Sequence, residues 1–121
     1  QEVYSSKNVS YSVNLNTCIF DINPDLASVL VMNLIKNAII YTPNNGEIII
    51  SCGENNFSVS NSSVDNIPLD EKNIFIPFCK SMNNVNSSGI GLTLVKAICD
   101  SSNLIIKYFF ENNFHTFKIS D

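Results

Sequence analysis

Two stretches of this chain carry residue types that could do chemistry. In "LVMNLIKNAII" the asparagines Asn33 and Asn37 stand four apart with Lys36 beside them, and nearly everything around them is apolar. On a helix that spacing puts both amides on one face. An amide so placed either lines a narrow polar stripe facing water or needs a partner, because a buried, unpaired one costs about 1–3 kcal/mol. Its oxygen is also a hard, neutral ligand suited to Mg²⁺, an ion usually held by few protein groups together with phosphates. The second stretch, "NSSGIGLTLVKAICD", sets Gly89 and Gly91 ahead of an apolar helical pattern. A turn feeding a helix offers free N–H groups and the positive end of the helix dipole, which favour an anion. The same glycines would equally serve a turn that only packs closely.

The elements that must position these residues can be read from periodicity. "VSYSVNL", Val9 to Leu15, alternates like a half-buried strand. Asn23-Pro24-Asp25 supplies a cap, a first-turn proline and a first-turn carboxylate, so a helix is predicted from there through Tyr41, ending before Pro43. "EIIISC" and "FSVSN", joined by "GENN", read as a hairpin. From Ser62 to Ser88 the chain is polar and broken by two prolines, a long loop with a turn of helix near Ile74, Phe75 and Phe78. A second helix follows the glycines, with Gly91, Leu94, Val95, Ile98 and Cys99 on one face. "LIIKYFF" and "FHTFKI" make a last hairpin around Glu111 to Asn113. That order predicts an α+β fold, a two-layer α/β sandwich with a mixed, mainly antiparallel sheet and helices on one face, forming a single domain over residues 1–121.

Composition narrows the partners. The 121 residues are 45% hydrophobic and 15% charged, enough for one core, and the net charge of -4 gives no electrostatic reason to expect a nucleic acid or an anionic membrane. No apolar run approaches the roughly 20 residues of a spanning helix. The four cysteines, Cys18, Cys52, Cys79 and Cys99, are scattered without metal-ligand spacing, and the single histidine, His115, is far from them all. They read as reduced thiols packed as small hydrophobes.

Four segments in order, "LVMNLIKNAIIYTPNNGEI", "FSVSNSS", "NIFIPFCKS" and "SSGIGLTLVKAIC", resemble the N, G1, F and G2 boxes of the ATP-binding catalytic domain of sensor histidine kinases, in the GHKL ATPase superfamily. The resemblance covers essentially the whole chain. It implies a Bergerat-type sandwich that binds Mg-ATP, with Asn37 holding Mg²⁺ and Asn33 contacting phosphate or the metal shell. Gly89 and Gly91 would let backbone amides reach the phosphates, and Tyr41, Asn61, Lys80, Ser88 and Leu92 would complete the nucleotide site. It further implies a cytoplasmic domain excised from a membrane-anchored parent, a separate dimerisation domain bearing the phosphoacceptor histidine, and a response regulator downstream. His115, in "FHTF", is expected to be a strand residue and not the acceptor.

The departures from the family pattern define a rival. The usual Asp-x-Gly-x-Gly is here Asn61-Ser62-Ser63-Val64-Asp65, the first glycine of the later Gly-x-Gly-x-Gly is Ser87, and Ile40 stands where a basic residue is common. The lid segment, Lys80 to Asn86, is short. A degenerate regulatory or protein-binding module with weak or lost nucleotide affinity is the alternative, and a kinase of the anti-sigma-factor type, directed at serine or threonine, a second one. Since an amide can turn either its oxygen or its nitrogen to a base, Asn61 is expected to discriminate ATP from GTP poorly.

Overall fold

The computed structural model describes residues 8–16, 20–76 and 91–121. Its elements are β1 (Val9–Leu15), α1 (Pro24–Tyr41), β2 (Gly46–Gly53), β3 (Asn56–Ser62), α2 (Gly91–Ser101), β4 (Ile105–Glu111) and β5 (Phe114–Ser120). The five strands form one sheet in the order β1-β2-β3-β5-β4. The first pair is parallel, with Val9 opposite Gly46 and Leu15 opposite Cys52, because α1 carries the chain back across the sheet before β2 begins. The remaining pairs are antiparallel.

α1 starts as its sequence dictates. Asn23 Oδ1 accepts from the N–H groups of Asp25 and Leu26 at 2.8 and 3.3 Å, Pro24 fills the first turn where no N–H is needed, and Asp25 faces the dipole. It stops at Thr42, whose extended backbone is what the following Pro43 requires. The Thr42 N–H and hydroxyl both return to the Ala38 carbonyl. Between them, Leu30, Leu34 and Ala38 of α1 and Val95, Ile98 and Cys99 of α2 are buried against Ile48, Val59, Ile106, Tyr108, Phe117 and Ile119 of the sheet. Each large aliphatic side chain so buried contributes roughly 1.5–3 kcal/mol. Cys99 is fully enclosed and its thiol is pushed up to about 11, chiefly by burial, so it packs as an inert hydrophobe. Cys52 is half-buried, and Cys18 and Cys79 lie outside the described residues.

The turns rest on asparagine. Every non-glycine residue with positive φ among those described is an Asn: Asn45, Asn55, Asn66, Asn103, Asn112 and Asn113. Asn tolerates the left-handed region better than other side chains, so a chain with only 4 glycines still closes its hairpins and ends its helices. The turn expected near Ile74 and Phe75 is present, with Ile74 N–H donating to Asp70 O at 3.1 Å. Thr93 of α2 clasps it through Phe75 O at 2.8 Å. No described helix is long and apolar enough to cross a membrane.

Gly46 marks the tightest point of the core's edge. A Cβ there would stand 2.6 Å from Thr42 Cγ2 and 2.8 Å from Pro43 O, and neither can retreat, the first being held by its own hydroxyl and the second being backbone. Gly46→Ala is therefore expected to destabilise the domain by about 2 kcal/mol in urea unfolding without changing the m-value.

Candidate functional site

Register brings the polar residues to one end of the sandwich. Ile48 near the start of β2 pairs with Asn61 near the end of β3, and Asn61 pairs with His115 near the start of β5. α1 finishes above this end and α2 begins there. The buried polar residues among those described are Thr42, Asn61, Ser63 and His115, and all four lie at this end. An apolar hollow of about 160 Å³ lined by Phe20, Ile22, Leu30, Phe57 and Leu104 lies at the opposite end. It has no convergent polar groups to orient a ligand.

On α1, Asn33 and Asn37 are both half-buried on the side facing α2, so neither is on the solvent stripe nor inside the core. Asn33 Nδ2 donates to the Val29 carbonyl at 2.8 Å, which fixes the amide and turns Oδ1 toward the start of α2. A Cβ on Gly91 would stand 3.3 Å from that oxygen. The N-box amide and the G2-box glycine are thus neighbours in space although 58 positions apart. The Asn37 side chain has no hydrogen-bond partner among the described residues. Leu92 packs on the core, and Tyr41 is half-buried at the end of α1. Ile40 is buried, so its position faces the interior and not a phosphate. Lys80, Ser87, Ser88 and Gly89, and the whole lid segment, lie outside the described residues.

At the sheet, Asn61 is only 3% exposed and its Nδ2 donates to the Ser62 carbonyl at 3.0 Å. The reverse orientation would set oxygen against oxygen. In this orientation Oδ1 is the atom left to accept. Ser63 shows how the chain manages without the family's glycines. Its hydroxyl accepts from the Asp65 and Asn66 N–H groups at 3.3 and 3.0 Å, a side-chain-closed turn in which Asn66 takes the left-handed conformation.

His115 is 1% exposed, in phase with Phe117 and Ile119 on the covered face. Its Nδ1 meets the Tyr108 hydroxyl at 2.7 Å, and that hydroxyl in turn accepts from the Leu69 N–H at 2.8 Å. Its Nε2 is buried with no partner among the described residues. Burial lowers the imidazole's pKa, with Asp65 opposing, and burial also raises the Tyr108 phenol, so the pair is neutral. The alternation of "FHTFKI" could have placed His115 among the covered residues, but nothing in the sequence shows the hydroxyl that holds it.

The profile of the histidine kinase-, DNA gyrase B- and HSP90-like ATPases matches residues 22–113, well over half of the chain. The chain belongs to this family. Its fold is similar to the mycobacterial sensor histidine kinase MprB, with a TM-score of 0.76, 14% identity, and 92% of this chain and 81% of that one covered. The catalytic domain of histidine kinase ThkA gives 0.70 at 22% identity, covering 93% of this chain and 76% of that one. Acinetobacter baumannii histidine kinase AdeS gives 0.67 at 20%, covering 95% and 54%. No curated protein sequence matches the chain. The α+β sandwich expected from the sequence is the fold of these ATPase domains.

Two outcomes follow for the apo domain. Asn37→Ala removes an amide with no described partner, so unfolding stability should change by less than about 1 kcal/mol; a loss above about 2 kcal/mol would make it a core residue. His115, neutral when folded and with a lowered pKa, leaves the unfolded chain binding more protons as pH falls below 6.5. Stability should therefore drop from pH 6.5 downward relative to a His115→Phe variant, and the two curves should run parallel above it.

Proposed function

We propose that this domain is the ATP-binding catalytic domain of a two-component sensor histidine kinase, supplying Mg-ATP for phosphorylation of a histidine on a separate dimerisation domain. The observation that carries the reading is the meeting of Asn33 on α1 with Gly91 at the start of α2, the helix that begins towards the end of the sheet where Asn61 pairs with His115. A nucleotide lying along that end would have its base at Asn61 and its phosphates between α1 and the first turn of α2. There the first-turn N–H groups and dipole of α2 favour negative charge.

The residues present fit a magnesium ion of the usual nucleotide kind. Among the described residues no group of three His, Cys, Asp or Glu could hold a metal by itself. Asn37, half-buried and without a described partner, has an amide oxygen to give. With phosphate oxygens and water this is the sparse protein contribution Mg²⁺ tolerates. The ion, when bound, would screen the charge of the phosphates. Asn33, held by Val29, would keep the amide face in register, and Gly91 would admit the phosphate chain against the helix start. Phosphoryl transfer depends on positioning and charge stabilisation, and the nucleophile would come from the partner domain. His115 is unsuited to that part because it is enclosed under the sheet's cover. A membrane-anchored parent and a response regulator complete the proposed setting.

The rival is a regulatory module of the same fold that has lost its nucleotide, favoured by the self-closed turn at Ser63. Thermal unfolding with millimolar Mg-ATP separates the two. A nucleotide at 100 times its dissociation constant adds about 2.7 kcal/mol, and Asn61→Asp, by charging the acceptor, should tighten ATP about tenfold, equivalent to about 1.4 kcal/mol. Absence of any stabilisation in both proteins would establish the rival. Given radiolabelled ATP, the chain alone should remain unlabelled and should label its parent's dimerisation domain when that is supplied. Self-labelling lost in His115→Ala would overturn the proposal.

A further inference from the structure

The buried end holds one polar atom that neither the fold nor the proposed chemistry uses. His115 Nε2 is enclosed and has no partner among the described residues, on the strand position directly across from Asn61 and on the same covered face. Side chains so paired have their Cβ atoms about 4.5–5.5 Å apart. Which proton Nε2 carries is settled by the other side of the ring. The Tyr108 oxygen already accepts from the Leu69 N–H, and its own hydrogen must then go somewhere. Donated to His115 Nδ1, it satisfies both groups and makes Nδ1 the acceptor. In the opposite arrangement Nδ1–H would donate to a tyrosine oxygen already accepting from Leu69, and the tyrosine hydrogen would have no described acceptor. The chain from Leu69 through Tyr108 therefore holds the imidazole as the Nε2–H tautomer, a donor.

Asn61, with Nδ2 committed to Ser62 O, presents the complementary acceptor. We propose that His115 is a second base-reading group, whose Nε2–H donates, directly or through one bridging water, to the ring nitrogen beside the exocyclic amine that Asn61 Oδ1 accepts. It rests on the reading of Asn61 as the residue at the base. An acceptor and a donor side by side match the amine and ring nitrogen of adenine. Guanine reverses both, offering an oxygen where the amine would be and an N–H where the acceptor would be. Even an Asn61 that turned its amide to suit the guanine oxygen would leave Nε2–H facing another N–H. The donor on His115 thus supplies selectivity that the loss of the family's carboxylate would otherwise forfeit. An arriving base also gives a partner to a buried N–H that has none, so the interaction gained is larger than that of a group already solvated.

The experiment is calorimetric titration of Mg-ATP and Mg-GTP into the full chain, the His115→Phe variant and the Tyr108→Phe variant. His115→Phe keeps a ring of similar shape and removes the orphaned nitrogen, so its thermal stability at neutral pH should equal or exceed wild type. Its preference for ATP over GTP should fall about tenfold. Tyr108→Phe keeps the imidazole but releases the tautomer, so its preference should fall by a smaller factor; this variant decides the matter if His115→Phe does not fold. In nitrogen NMR of wild type, the Nε2 resonance should be that of a protonated nitrogen and should move on adding Mg-ATP. Wild type that prefers ATP, with the preference and the Nε2 resonance unaffected, overturns the role of His115 and leaves the functional proposal standing. Wild type that binds neither nucleotide overturns both.

Discussion

Because Gly91 has no Cβ, the first turn of α2 starts against the Asn33 amide, with 3.3 Å between that oxygen and the place a methyl would occupy. The contact is non-local, and it brings the start of α2 against the middle of α1. Asn33 can hold this position because its Nδ2 is anchored one turn back on Val29 O, which spares the amide from reaching into the core for a partner. The anchoring in turn needs α1 to be continuous here, which the cap at Asn23 and the stop at Thr42 and Pro43 secure from either end. A larger residue at Gly91 would press on the anchored amide before it disturbed the core beneath, since Val95, Ile98 and Cys99 further along α2 are already fixed on the sheet. Small-residue geometry at a helix start is thereby converted into the spacing of two chemical groups.

The same end of the molecule carries all of the buried polar residues described, and they are satisfied to different degrees. Thr42 and Ser63 close on backbone within a few residues of themselves, so each behaves as a piece of local structure. Asn61 is half committed, one N–H on the next carbonyl and its oxygen without a described donor. His115 has one nitrogen tied through Tyr108 to the loop at Leu69 and the other without a partner among the described residues. A buried donor without an acceptor costs about 1–3 kcal/mol, a large part of the stability of a domain of this size. That cost falls beside Asn61, at the site end, and not among the apolar side chains of the opposite end, where Phe20, Leu30, Phe57 and Leu104 line a hollow with nothing polar to orient.

What could be read in the sequence was local. The caps of α1, the alternation of β3 and β5, the glycine that opens α2 and the asparagine-rich turns each express their structure within a few residues, so the element order was legible. The pairing of Asn33 with Gly91 was legible only through family resemblance, since no local pattern joins residues so far apart. Replacement of the G1-box glycines read as damage in sequence because glycine normally supplies the left-handed residue there. The fold shows a substitute instead, Ser63 closing the turn and Asn66 taking positive φ. His115 was legible as a strand residue but not as a donor. Its tautomer is set by a hydroxyl on β4 and an N–H in the loop, neither of which is near it in sequence.

These differences divide the site into halves that answer to different constraints. On the α1 and α2 side Asn33, Asn37 and Gly91 are kept in type while Ile40 and Ser87 are not, and the amide of Asn37 has no partner among the described residues. On the sheet side every family residue expected at the base has been exchanged, yet the exchanged residues are ordered by bonds of their own. On the proposed reading charge handling and base recognition sit on separate elements, and substitutions on β3 and β5 should alter which nucleotide is held while those on α1 and α2 alter how its phosphates are held.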